Sequence, residues 1–95
     1  MVRELPKEEL YALGDQLRRA AVSISANIAE GSGSNSVKDF RNYLNVSVKS
    51  MLEVVSLLAV AEKNDYISSG KFDELRNKAE ILVKRIQAFR NSLKP

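Results

Sequence analysis

SVKDFRNYLNVSVKSMLEVVSLLAVAEK, residues 36–63, decides how this chain folds. It contains no glycine or proline, and its apolar residues recur at helical rather than alternating spacing. Val37, Phe40, Leu44, Val48, Met51, Val55 and Leu58 form one ridge, and Tyr43, Val46, Val54, Leu57 and Ala61 form a second beside it. Lys38, Asn42, Asn45, Lys49, Glu53 and Ser56 fill the remaining arc. Ser36 followed three residues later by Asp39 has the form of a capping box, so the spacing predicts a helix from about 36 to 63. At 1.5 Å per residue it is about 40 Å long. A helix apolar over more than half its circumference must be covered from two sides.

Breaks flank this segment. Gly31-Ser32-Gly33-Ser34-Asn35 precedes it and Asn64-Asp65-Tyr66-Ile67-Ser68-Ser69-Gly70 follows it. Upstream, a helix is predicted over about 6–30. Pro6 suits its first turn, and Glu8 and Glu9 complement the helix dipole there. Leu10, Leu13, Leu17, Ala20, Ala21, Ile24 and Ile28 fall in an arc about 100° wide and predict one buried stripe. Tyr11, Arg18, Val22, Ser25 and Ala29 form a weaker stripe, which either accepts another helix at close range or stays exposed. Gly14 costs about 1 kcal/mol against alanine in a helix interior, which a close backbone approach would justify. Downstream, Phe72, Leu75, Ala79, Leu82, Ile86, Phe89 and Leu93 form a heptad seam over about 70–93, suited to nearly antiparallel packing.

Linkers of about five to seven residues favour antiparallel neighbours. The expected fold is an all-α, antiparallel up-and-down helical bundle, a single domain over residues 1–95. Three helices would leave part of the second helix and the weak stripe of the first poorly covered. Another helix or another copy of the chain is expected there, with Tyr11, Val22, Tyr43, Val54 and Leu57 as the candidate self-association surface.

Composition narrows the chemistry. The chain has 95 residues, 44% hydrophobic and 28% charged, with no cysteine, histidine or tryptophan. A disulfide framework, a thiolate metal site, a cysteine nucleophile and the usual general base are therefore excluded. Serines and lysines are abundant, yet no spacing singles out a Ser-Lys pair. The carboxylates lack the Glu-x-x-His pattern of di-metal bundles. Gly31-Ser32-Gly33 lacks the lysine and the preceding strand of a phosphate-binding loop. No catalytic residue, metal or cofactor is expected. No run of ~18 apolar residues exists, so no membrane association is expected. MVRELPKEEL lacks the apolar core of a signal peptide, so the expected location is cytoplasmic.

The net charge of +3 is unevenly spread. Residues 1–30 carry four basic and five acidic side chains, residues 31–70 four and four, and residues 71–95 seven and three. Lys71, Lys78 and Arg85 are seven apart and share one ridge, with Lys84, Arg90 and Lys94 adding charge near the end. The ridge reads either as a phosphate-tracking surface or as a solvated face beside the seam. Arg18 and Arg19 can bind phosphate or supply a salt bridge and an interface contact, Asp15 being the favourably placed partner of Arg19. Asn27 reads as a substrate contact or as an amide bonded to a neighbouring helix or to the backbone near Gly31. Glu30 reads as orienting that turn.

The run LRRAAVSISANIAEG, residues 17–31, is more specific than any periodicity. It resembles the L-R-R-A-A-x-S-I-x-x-N-I-A-E-G signature of the four-helix-bundle family of 23S rRNA-intervening-sequence proteins. Leu5-Pro6-Lys7-Glu8-Glu9, the Phe40, Tyr43 and Leu44 group, and Asp65-Tyr66-Ile67 are similar to that family's helix entries and loop. The resemblance implies a bacterial bundle of four antiparallel helices assembled as a homopentamer, with Asn27, Glu30 and Gly31 as motif residues of structural role. A related branch, the accessory proteins of diversity-generating retroelements, implies nucleic acid and a nucleic-acid enzyme (a reverse transcriptase) as partners. Family members usually carry a helix before the Leu-Pro-Lys-Glu-Glu element, where here Met1 to Leu5 stand. A shortened first helix would expose the surfaces flagged above and favour self-association, with the copy number open.

Overall fold

The computed structural model describes residues 7–94. Three helices follow one another: α1 (Lys7–Ser32), α2 (Val37–Lys63) and α3 (Ser69–Ser92). The expected start of α1 at Pro6 lies outside the described residues.

α2 opens as its sequence dictates. Ser36 is extended, and its Oγ accepts the Asp39 backbone N–H at 3.1 Å, so one of the helix's orphan donors is satisfied. α3 opens in the same way, with Ser68 Oγ accepting the Lys71 N–H at 3.0 Å. Between them Asp65 takes the left-handed conformation at φ 62°, which a short polar residue tolerates, and the Tyr66 N–H closes onto the Ala61 carbonyl at 2.9 Å.

α1 runs past its expected end. Gly31 lies inside the helix rather than breaking it, and the stop falls at Gly33. There the Gly33 N–H donates to the carbonyls of Ala29 and Glu30, and Ser34 Oγ donates to the Gly31 carbonyl at 2.6 Å. Gly31 is buried because α2 crosses directly over it. A Cβ at this position would sit 2.7 Å from Phe40 Cδ1 and 2.9 Å from Tyr43 Cβ. Gly14 differs, since no atom of the described residues lies within 4 Å of where its Cβ would be, so the close approach expected there is absent among them.

α2 occupies the middle. α1 packs on one side and α3 on the other, and α1 and α3 share no packed interface among the described residues. The Cα envelope measures 56 × 25 × 12 Å. A width of 25 Å is that of three helices side by side at ~10 Å spacing, so the up-and-down arrangement is a layer rather than a closed triangle.

The two seams differ in chemistry. Towards α3, Leu44, Val48 and Ile86 form the apolar core, with Ile28, Phe40, Val83 and Leu93 packed around it. Phe40 and Phe89 meet edge to face at 5.6 Å. Towards α1 small polar side chains enter the contact. Ser47, fully buried, donates to the Ile24 carbonyl at 3.0 Å, and Ser23 Oγ and Ser50 Oγ lie 2.8 Å apart. Serine hydroxyls satisfied in this way let two helix backbones approach closely without leaving polar atoms unpaired.

The layer leaves apolar surface open. Leu10, first in the stripe expected to be buried on α1, is 45% exposed, and Ala21 in the same stripe is exposed. In the α3 seam Leu82 is 41% and Phe89 48% exposed. These stripes have the predicted spacing, but only one neighbouring helix covers each. Tyr43, Val54 and Leu57, expected on a self-association surface, are half-buried on the α2 side that faces α1, Tyr43 directly against Gly31. Tyr11 and Val22 are strongly exposed.

The expectation about membranes is narrowed. By length and composition alone α2 could cross one, with a mean hydropathy of 1.6 over an 18-residue window of which a third is buried. An apolar arc turned towards two neighbouring helices produces the same statistic.

Candidate functional site

The basic residues singled out from the sequence fall on two sides of the layer. Arg18 and Arg19 stand exposed on α1, both bonded to Asp15, at 2.9 and 2.5 Å. α2 separates them from α3, so they do not join its basic ridge. On α3, Lys71 and Lys78 share Glu74, at 3.5 and 3.4 Å. The hydrogen bond from Lys78 and the charge of Lys71 hold the Glu74 carboxyl below its ordinary value of 4.5. A carboxylate therefore sits between the first two members of the ridge. Arg76 is likewise paired, with Asp73 at 3.4 Å and Glu80 at 3.9 Å. Lys84 and Arg85, both exposed, have no carboxylate partner among the described residues. Free positive charge on α3 is thus concentrated in its second half.

Glu74 fixes a pH dependence. A depressed carboxyl pKa contributes stability above the unfolded value, and that contribution disappears as pH falls through the folded value. The pairs are solvent-exposed, so Glu74→Gln is expected to leave the thermal midpoint at pH 7 nearly unchanged. Melting curves at pH 7 and pH 3 check this, the variant and the parent converging at the lower pH.

The motif residues form a separate cluster where α1 meets α2. Asn27 is half-buried, and its Nδ2 donates to the Ser23 carbonyl at 2.7 Å and to Ser23 Oγ at 3.0 Å. Ser23 Oγ in turn meets Ser50 of α2. The amide therefore braces the α1–α2 seam through its own helix, rather than reaching another helix or the Gly31 turn directly. Glu30 orients that turn through its backbone carbonyl, which accepts the Gly33 N–H at 3.2 Å, while its side chain stands exposed beside a cleft shared with Asp39. Among the described residues no three acidic side chains gather into a metal-sized site.

One group was not legible from the sequence. Arg41 on α2 reaches the last turn of α3, where its Nε donates to the Arg90 carbonyl at 3.3 Å and its Nη2 to the Leu93 carbonyl. Arg90 turns back to α2, where its Nη1 donates to Asn45 Oδ1 at 2.7 Å. Arg90 alone was a candidate. Arg41 and Lys38 were hidden in a segment whose charges sum to zero, since a segment sum ignores which face each charge occupies.

The sequence profile of the 23S rRNA-intervening sequence proteins matches residues 1–88. The chain belongs to this family. As an intervening-sequence protein it is an all-α bundle, with three helices among the described residues where the resemblance implied four. No curated protein matches the chain.

Proposed function

We propose that this intervening-sequence protein is a non-catalytic cytoplasmic scaffold that self-associates through its open apolar surface and contacts RNA or DNA through the basic second half of α3. The observation that carries the reading is surface area. A compact monomer of 10.6 kDa exposes about 5,500 Å². This chain exposes 6824 Å², roughly a quarter more. The excess, on the order of 1,300 Å², is more than the roughly 800 Å² that each partner buries in a standard protein–protein interface. Leu10, Leu82 and Phe89 are the side chains a second copy would cover. A closed ring, such as the pentamer implied by the resemblance, repeats Lys84, Arg85 and Arg90 around an axis, so a modest charge per chain sums to a strong field. A nucleic-acid enzyme is a partner compatible with such a scaffold.

Sedimentation and nucleic-acid titration test the two halves separately. Sedimentation is expected to show an oligomer, and a helical monomer at all concentrations overturns self-association. Anisotropy with short RNA and DNA is expected to show affinity falling steeply with salt, as release of counterions from several phosphates requires. Reversing Lys84 and Arg85 to glutamate is expected to abolish binding, and reversing Lys71 and Lys78 to weaken it less, because Glu74 already offsets them. An oligomer without salt-sensitive binding would be a pure protein–protein assembly module.

A further inference from the structure

We propose that phosphodiester groups of a nucleic-acid strand seat in the groove between the first turns of α2 and the last turn of α3, held by Lys38, Arg41 and Arg90. The inference deepens the nucleic-acid reading above and rests on it.

The groove is lined by these three cations together with asparagines from both helices, among them Asn42, Asn45 and Asn91, and by no carboxylate. Asp39, the acid in the first turn of α2, lines the neighbouring cleft with Glu30 instead. Elsewhere on this chain Asp15, Glu74, Asp73 and Glu80 pair with arginines and lysines. Here, among the described residues, no carboxylate pairs with the cations.

The two guanidiniums are also held in place. Each has five N–H donors in a rigid fork. Arg41 spends donors on the carbonyls of Arg90 and Leu93, and Arg90 spends donors on Asn45 and on Asn91, the latter at 3.2 Å. All four acceptors are neutral, so they orient the side chains without cancelling their charge. The remaining donors of both forks have no partner among the described residues. Oriented, half-buried guanidiniums with unspent donors suit the tetrahedral oxygens of a phosphodiester, which accept paired N–H bonds. Ordering entropy has already been lost in the free protein, which favours binding.

The asparagines distinguish the occupant. Their amides donate and accept at once, as base edges and ribose hydroxyls require, whereas a run of carboxylates needs donors alone. Lys84 lies seven residues before Asn91 and so on the same side of α3. A strand leaving the groove along α3 meets that unpaired charge next.

The test is anisotropy with a fluorescent single-stranded RNA and with DNA of the same sequence, at several salt concentrations. The variants are Lys38→Gln, Arg90→Gln and Arg41→Gln, with Lys71→Gln as a control about 28 Å along α3 from Arg90. Helicity by circular dichroism confirms folding. Lys38 is exposed and its side chain makes no bond among the described residues, so its variant remains informative if Arg41→Gln fails to fold. Each groove variant is expected to bind about tenfold more weakly, the loss of a charge-assisted bond. Each is also expected to lower the salt slope by about one phosphate contact, while Lys71→Gln, whose charge Glu74 already offsets, weakens binding less than any groove variant. Equal loss for RNA and DNA assigns the contact to the shared phosphodiester, and a loss for RNA alone adds the ribose hydroxyl. Folded groove variants that bind like the parent overturn the groove and leave the nucleic-acid reading intact. Displacement of the strand by polyglutamate at matched charge also overturns it, in favour of an acidic peptide. A parent that binds neither strand overturns both.

Discussion

Gly31→Ala lowers stability and Gly14→Ala raises it, although both residues lie inside α1 and the same methyl group is added. In a solvated helix interior, alanine in place of glycine contributes about 1 kcal/mol through the unfolded chain and the helix propensity. Gly14 has open space around it and is expected to show that gain. At Gly31 the added Cβ lies 2.7 Å from the Phe40 ring and 2.9 Å from Tyr43 Cβ. The ring can swing, but Tyr43 Cβ is fixed to the α2 backbone, so relief requires the helices to separate. Overpacking of this kind costs about 1–3 kcal/mol, which exceeds the propensity gain. With ~4–8 °C of thermal midpoint per kcal/mol for a chain this size, that overpacking cost separates the two variants by ~4–24 °C. Thermal melts followed by circular dichroism measure it. Equal midpoints would mean that α1 and α2 do not meet at Gly31.

That contrast also shows where a sequence reading of this fold stops. Helix positions were legible because they depend on local spacing. Ser36 three residues before Asp39 opens α2, and the uninterrupted apolar period carries it to Lys63. Gly31 was misread as a break because glycine has two uses, a helix stop and a close approach, and only the position of Phe40 and Tyr43 separates them. Ser47 and Ser50 gave no signal at all, and Ser23 appeared only as one letter of the LRRAAVSISANIAEG run. A serine in an apolar helix resembles a solvent-facing residue until the partner hydroxyl or carbonyl is known.

The candidate site was legible to a lesser degree, for a related reason. The heptad spacing identified which residues of α3 share a stripe, and Ala79 and Ile86 are buried as that stripe requires. Leu82 and Phe89 lie on the same stripe and remain half exposed, because spacing does not state how many neighbours cover a face. Charge behaves similarly. The ridge of Lys71, Lys78 and Arg85 follows from their numbers, but its neutralisation by Glu74 depends on side chains one turn away. Arg41 and Arg90 stand 49 residues apart, and only the antiparallel register of α2 and α3 brings them together.

Leu44→Ala is expected to have the largest effect of any single truncation. Leu44 is 1% exposed and joins Val48 and Ile86 at the point where α2 holds α3, with Ile28 of α1 packed on the same cluster. Truncating a buried leucine costs about 2–5 kcal/mol, against a total of ~5–15 kcal/mol for a whole domain. A layer with so few fully buried side chains has little else to hold α3, so the variant is expected to lose its cooperative thermal transition or to melt ~10–30 °C lower. Leu82→Ala supplies the comparison. Leu82 is 41% exposed within one chain, so in a monomer its truncation removes only part of that cost. If a second copy covers it, assembly adds to stability by mass action and the midpoint rises with protein concentration. Melts over a 100-fold concentration range therefore separate the two roles. Leu44→Ala is expected to be destabilised by the same amount throughout, whereas Leu82→Ala should fall slightly behind the parent when dilute and further behind it when concentrated. A constant, small Leu82→Ala effect would mean that this face stays wet and that copies of the chain meet elsewhere.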